Sequence, residues 1–347
     1  MSKKLFCFAS KVRLKNFFAV CDAVAAYTSA DRRTIADITG ISPQTVTKAV
    51  EFLLDAGILS ENSSKKPFMY SFTANRAVGV VDLTQQDLRF SIYTIDGKLL
   101  RELTSQNDPS YFYDENLSFF LHESAAFVKT RMPRITLFAV TAIISPGDIN
   151  QRGTRSMLTD TDRLCSMITS YFGGSEISAT DSVSASQYSL IGNPVYRGSS
   201  VICTIDGTSA VCIAVDDSVL LGSTPLRDRR GVILPAESVI NAYLSQEMAA
   251  AIGNVIGMLS PNRLFIDTAK RPGDITESRV SEILTNYFGA HGFTVPNIIM
   301  CRIPMSHAGA VRRARETVVR ELTIECAVGN QNETTDAPVP KIQNRDK

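Results

Sequence analysis

Gln44, Thr45, Thr47 and Lys48 follow closely on Ser42 and Pro43. That grouping offers the chemistry of groove reading. A Gln amide can bond the edge of adenine at two atoms, a Thr methyl can meet the thymine methyl, and Ser42, Lys48 and a helix N-terminus can hold phosphates. Arg32 and Arg33 upstream, and Lys65 and Lys66 downstream, would add contacts to the phosphate backbone. Two carboxylates form a second set. Asp82 ends a strand-like run, and Asp181, before a helical one, could accept a hydroxyl hydrogen bond from a polyol. Each also has a plainer use, Asp82 as a strand end and Asp181 as the cap of the helix beginning at Ser182, and capping carries more weight for Asp181. Metal chemistry is not expected. The seven cysteines include no C-x-x-C pair, and His122, His291 and His307 stand isolated in the sequence.

The elements around Gln44 are legible from spacing. Leu14, Phe17, Phe18, Cys21, Val24, Ala25 and Thr28 recur at helical intervals. A short helix is predicted over Thr34 to Thr39, with Gly40 supplying a left-handed exit. Ser42 as cap and Pro43 at the first position start another helix, Pro43 to Ala56, in which Val46, Val50, Leu53 and Leu54 make the buried stripe. So tight a turn gives helix-turn-helix geometry. Ile58 to Ser60 and Phe68 to Phe72 then read as two strands of a wing whose tip holds Lys65 and Lys66.

After Thr73 the pattern changes to strands alternating with helices. Strands are predicted over 77–83, 88–95, 98–104, 135–144 and 176–179, with helices over 115–130, 160–172 and 182–191. A second series has strands over 200–205, 210–215, 219–221, 264–266 and 297–301, and helices over 236–259, 275–288 and 308–321. Three strands followed by α/β units, twice, point to an internal duplication. The expected divisions are a head over residues 1–74, a body over 75–328 and a polar tail over 329–347. The body's lobes are 75–190 plus the last helix, and 191–305.

Charge separates head from body. The first 75 residues carry ten basic and six acidic side chains, a net of +4, which leaves the rest of a +1 chain at −3. A basic module on an acidic body suits a polyanionic partner. The 44% hydrophobic composition of the 347 residues suffices for more than one core. Scattered cysteines favour a reducing, cytoplasmic setting. The opening MSKKLFCFAS soon meets Lys11, Arg13 and Lys15 and is expected to be an ordinary N-terminus, and no run of about twenty apolar residues suggests a membrane span.

The order of elements, joined to the winged module, resembles the ROK family of repressors and sugar kinases on the actin-like ATPase fold, related to ribonuclease H. The resemblance runs from about Leu14 to Glu321 and implies an α/β body of two lobes. At the family's D-I-G-G-T phosphate loop this chain has Asp82, Leu83, Thr84, Gln85 and Gln86; the acid is kept and both glycines are gone. Its second glycine-rich phosphate loop is matched by Asp206, Gly207, Thr208, Ser209, Ala210, Val211 and Cys212, and the adenosine-side glycines by Asp267, Thr268 and Ala269. On the sugar side the N-D-x-N segment becomes Thr180, Asp181, Ser182 and Val183. The Glu and His that follow the second hairpin are missing from Gly222 to Gly231, and the zinc-binding cysteine box is absent. Ser145, Pro146 and Gly147 match the family's P-G turn.

The resemblance implies a regulator that binds double-stranded DNA at an inverted repeat as a homodimer or higher homo-oligomer, and the lost glycines imply a catalytically silent body that needs no cofactor. A sugar or sugar-phosphate effector would lie between the lobes near Asp82, Gly147 and Asp181. Other readings stay open: an ATP-dependent sugar kinase with Asp181 as general base, a body that only dimerises the head, and a three-helix module that docks another protein.

Overall fold

The computed structural model describes residues 3–62, 67–84, 87–105, 113–144, 161–205, 210–216, 219–225, 246–267 and 277–333. The chain opens with α1 (Lys3–Tyr27), longer than the apolar spacing predicts because it takes in the opening residues as well. Then come α2 (Arg32–Thr39) and α3 (Pro43–Asp55). Both helix starts are explained by their caps. The Asp31 carboxylate accepts the Thr34 amide at 2.7 Å, and the Ser42 hydroxyl accepts the Thr45 amide at 3.4 Å. Gly40 ends α2 at φ 68°, a conformation that side chains with a Cβ resist. Strands β1 (Leu59–Glu61) and β2 (Tyr70–Phe72) pair antiparallel, and β2 also bridges to Ala30. Val20, Val24, Ile35, Val46, Val50, Leu53, Ile58 and Tyr70 make the core of this head, with Phe17 stacked on Phe52.

Two five-stranded sheets of the same plan follow. The first contains β3 (Arg76–Asp82), β4 (Leu88–Thr94), β5 (Leu99–Ser105), β6 (Thr136–Ile144) and β7 (Glu176–Asp181), in the order β5-β4-β3-β6-β7. The second contains β8 (Ser199–Ile205), β9 (Ala210–Asp216), β10 (Val219–Pro225), β11 (Arg263–Asp267) and β12 (Asn297–Met300), in the order β10-β9-β8-β11-β12. In each, the first three strands are antiparallel and the last two run parallel to the first. The duplication expected from the sequence is therefore a repeated topology. Helices α4 (Tyr113–Arg131) and α5 (Thr161–Tyr171) cover one face of the first sheet, burying Leu117, Leu121, Leu164 and Ile168. In the second, α7 (Gln246–Leu259) and α8 (Glu277–Ala290) play that part with Ile252, Ile256, Leu284 and Phe288. The helix predicted over 236–259 is seen from Gln246; residues 236–245 lie outside the described residues.

The opposite faces are closed by two crossed helices, α6 (Ser182–Leu190) and α9 (Met305–Glu333). Ala310, Val311 and Ala314 of α9 lie on the first sheet. Leu190 and Val183 of α6 lie on the second, although chain order puts α6 after the first. Gly309 sits at the crossing, where a Cβ would fall 1.7 Å from the Ala185 carbonyl oxygen. Only glycine admits so close a backbone approach. The last helix continues through Glu333, past Gly329, where composition alone suggests a tail.

Candidate functional site

The first candidate surface is the exposed side of α3. Val46, Ala49, Val50 and Leu53 face inward, which turns Gln44 and Lys48 to solvent and leaves Thr45 and Thr47 half-buried. The three small hydroxyls are occupied locally. Ser42 Oγ and Thr45 Oγ1 share a hydrogen bond at 2.9 Å, and Thr47 Oγ1 donates to the Pro43 carbonyl at 3.0 Å. Thr47 is left with its methyl as the part free of hydrogen bonding. Arg33 is exposed and lies only 3.9 Å from Asp37. Arg32 is turned inward, its guanidinium over the Tyr70 ring at 5.6 Å and 3.8 Å from Glu51, so it ties α2 to α3 and β2. Lys65 and Lys66 lie outside the described residues.

The second candidate region is where the two sheets meet, at the C-terminal ends of β3, β7 and β11. Asp82 and Asp181 end strands two apart in one sheet, a separation of about 10 Å. Gly147 and the turn it belongs to lie outside the described residues, as do Gln85, Gln86, Asp206 to Ser209, Thr268 and Ala269. Asp181 Oδ1 accepts the Ser184 amide at 2.8 Å and so caps α6. Asp82 is buried and fully engaged: Oδ1 accepts the Thr84 amide at 2.9 Å and the Thr84 hydroxyl at 2.6 Å, and Oδ2 lies 2.9 Å from His307 Nε2.

His307, isolated in sequence, is not isolated in space. It stands in the first turn of α9, buried between Asp82 and Tyr93, with its Nδ1 2.7 Å from the Tyr93 hydroxyl. Burial pushes the Tyr93 phenol above its ordinary range, so it keeps its proton beside Nδ1, while Nε2 faces the Asp82 carboxylate. The second lobe makes the matching contact. Asp267, at the end of β11, accepts the Met305 amide at 2.7 Å, the first residue of α9. Carboxylates at a helix N-terminus are favoured by its dipole, and here one comes from each lobe.

A third cluster joins the head to the body and went unnoticed in the sequence. Asp22 of α1, buried to 3% exposure, lies against Arg312 and Arg315 of α9. Arg312 Nη2 donates to Asp22 Oδ2 at 2.9 Å and Nε to both carboxylate oxygens at 3.1 Å, while Arg315 Nη2 donates to Oδ1 at 2.6 Å. Arg312 Nη1 donates to the carbonyls of Tyr188 and Ile191 at the end of α6, and Arg315 Nη1 to that of Ile95. Burial opposes the charge on Arg312, but Asp22 and Glu316 outweigh it and raise its pKa. On the other flank Arg197 donates to the Thr39 carbonyl at 2.6 Å, at the turn that leads into α3. The sequence did carry a sign of the first contact. Asp22 interrupts the apolar run from Phe17 to Ala25, and a carboxylate inside such a run needs a buried cation.

No protein-family model and no curated protein matches the chain. Solved structures do. A ROK family transcriptional regulator, described as a homologue of the E. coli MLC protein, aligns over 90% of this chain and 100% of its own, at 14% identity and a TM-score of 0.58. The ROK hexokinase from Thermus thermophilus aligns over 69% of this chain and 98% of its own, at 12% identity and a TM-score of 0.44. Among the described residues, no helix is long and apolar enough to cross a membrane. Over 90% of its length this chain shares its fold with that ROK family transcriptional regulator.

Proposed function

We propose that the chain is a DNA-binding transcriptional regulator of the ROK type, a repressor in its simplest use, whose N-terminal three helices and β1–β2 pair act as a winged helix-turn-helix. The observation that carries this reading is the exposure of Gln44 and Lys48 at the capped N-terminal half of α3, in a chain whose Asp82 is committed to His307. A head of this build meets the major groove with α3, and two heads about one helical turn apart, roughly 34–36 Å, read an inverted repeat. The body then serves as dimerisation unit and as holder of a sugar or sugar-phosphate effector between the lobes. Asp181, half-buried and with one oxygen taken by the α6 cap, is a candidate contact for it.

A catalytically silent body follows from the same residues. Phosphoryl transfer needs backbone amides and a metal-holding carboxylate around the phosphates. Here Thr84 stands where the loop would need glycine, and its amide and hydroxyl are spent on Asp82. A cytoplasmic setting accompanies the regulator reading.

Selection of duplexes from a random pool by the full chain tests the proposal. Enrichment of an inverted repeat by the parent chain, with affinity for it reduced by Lys48→Ala, is the expected result. A pool that stays random, or turnover of ATP against a panel of sugars that is abolished by Asp181→Asn, overturns it.

A further inference from the structure

The end of the first lobe nearest the head carries a basic groove that the α3 surface does not account for. It has a volume of about 680 Å3 and lies between the start of β5, the end of α4 and the connection into β6. Leu100, Met132 and Ile135 form its floor and at the same time pack against the core of the first lobe, so this part of the apolar lining, beside Phe127 and Pro133, is already in use. The rim is not. Arg101, Arg131 and Arg134 are exposed, no acidic residue lines the groove, and none of the three forms an ion pair among the described residues. The C-terminal dipole of α4 stabilises Arg131, but Arg101 sits on a strand and Arg134 in a loop, beyond that effect.

The groove also adjoins the head. Thr136, directly after its last lining residue, donates its amide to the Asn75 carbonyl at 2.8 Å. Asn75 follows Phe72, the end of β2, by three residues, a reach of at most about 10 Å. A polyanion leaving the β1–β2 side of the head therefore meets three guanidinium groups without an ion pair among the described residues, of which Arg101 donates to the carbonyl of the neighbouring Leu100 at 3.1 Å.

We infer that this groove is a second DNA contact, in which phosphates of the duplex flanking the recognised site lie along Arg101, Arg131 and Arg134. The inference rests on the DNA-binding reading above. Guanidinium groups suit phosphate oxygens by charge and by their forked geometry, and such contacts position a protein without reading sequence.

The test compares two duplexes built on the sequence recovered by selection, one of about 20 base pairs that ends at the contacts of the heads and one of about 60. The full chain and an Arg101→Ala/Arg131→Ala/Arg134→Ala variant are titrated on both at several salt concentrations, with thermal melting as a fold control. On the long duplex the variant is expected to bind at least about 10-fold more weakly, with a salt slope shallower by about 2–3. On the short one it should match the parent chain. Equal affinity on the long duplex, or an equal loss on both, overturns the inference; the first is also what a groove made for an acidic protein would give. Failure of the parent chain to bind either duplex removes the DNA reading itself, whereas binding that ignores the variant removes only the groove.

Discussion

Asp22 in the first helix and Arg312 in the last meet in a buried ion pair at 2.9 Å, and both side chains are less than a tenth exposed. The pair is part of a chain of contacts. Arg312 reaches on to the end of α6 through the Tyr188 and Ile191 carbonyls, and α6 lies on the second sheet. A single side chain thus touches the head, the helix on the first sheet and the helix on the second. Together with Arg197 at the Thr39 carbonyl, it fixes the α2–α3 turn relative to both lobes.

The first prediction concerns that pair. Asp22→Ala takes from Arg312 and Arg315 the carboxylate they share and leaves Arg312 with Glu316 at 3.4 Å, and breaking a buried pair from one side costs about 3–5 kcal/mol. Cys21 gives a local readout, because burial pushes its thiol up to about 12 and shields it. In the parent chain Cys21 should resist alkylation at pH 8, and in Asp22→Ala it should be modified rapidly while the body stays folded. A variant with parental denaturant stability and a protected Cys21 contradicts the clasp.

The second prediction separates the two exposed residues of α3. Gln44→Ala should relax base preference at one position of each half-site by about 1–3 kcal/mol and leave affinity for random DNA nearly unchanged. Lys48→Ala should weaken binding evenly across sequences and reduce the salt slope by about one. Binding titrations against selected and scrambled duplexes distinguish the two, and an exchange of these phenotypes would show that α3 sits differently in the groove.

A third prediction follows from Asp31. The backbone amide of Thr34, helped by the Thr34 side chain, holds the Asp31 carboxyl below its ordinary pKa. The folded value is lower than the unfolded one, so the stabilisation is complete above about pH 4 and is lost as the pH falls through the folded value. Asp31→Ala should cost about 1 kcal/mol near pH 7, with the difference shrinking toward pH 3. Asp31→Ser keeps a cap without the charge and should show no such convergence. Urea melts at the two pH values check this, and an unchanging Ala deficit rules out the carboxylate as its source.

What could be read from sequence divides along physical lines. Local signals held: Ser42 and Pro43 start α3, Gly40 ends α2 with positive φ, and β3 to β5 appear as three consecutive strands ending near their expected residues. Each is decided by a residue's own backbone or its near neighbours. Contacts across the chain were not legible. His307 meets Asp82 and Tyr93 from more than two hundred residues away, and nothing local to a histidine specifies such partners. Helix bounds were less legible: α1 begins at Lys3, ahead of the apolar spacing from Leu14, and α9 runs to Glu333, past the polar composition that begins at Gly329. The placement of α6 on the second sheet was hidden for another reason: its helical pattern shows an apolar side but not which sheet receives it.

The last prediction tests the crossing that makes this arrangement possible. A Cβ on Gly309 would stand 1.7 Å from the Ala185 carbonyl oxygen and 3.2 Å from the Ser189 amide nitrogen, both backbone atoms that cannot swing away. The two helices must separate, and overpacking of this kind costs about 1–3 kcal/mol or more. Gly253 of α7 is the control. A Cβ there meets the Tyr287 ring at 2.5 Å, but a ring on a rotatable side chain can yield. Gly309→Ala should therefore lower the melting temperature more than Gly253→Ala. It should also speed the alkylation of Cys21, because moving α9 from α6 stretches the Arg312 bonds to Tyr188 and Ile191 and so loosens Asp22. If Gly309→Ala destabilises the chain but leaves Cys21 protected, the crossing holds the body together without governing the head.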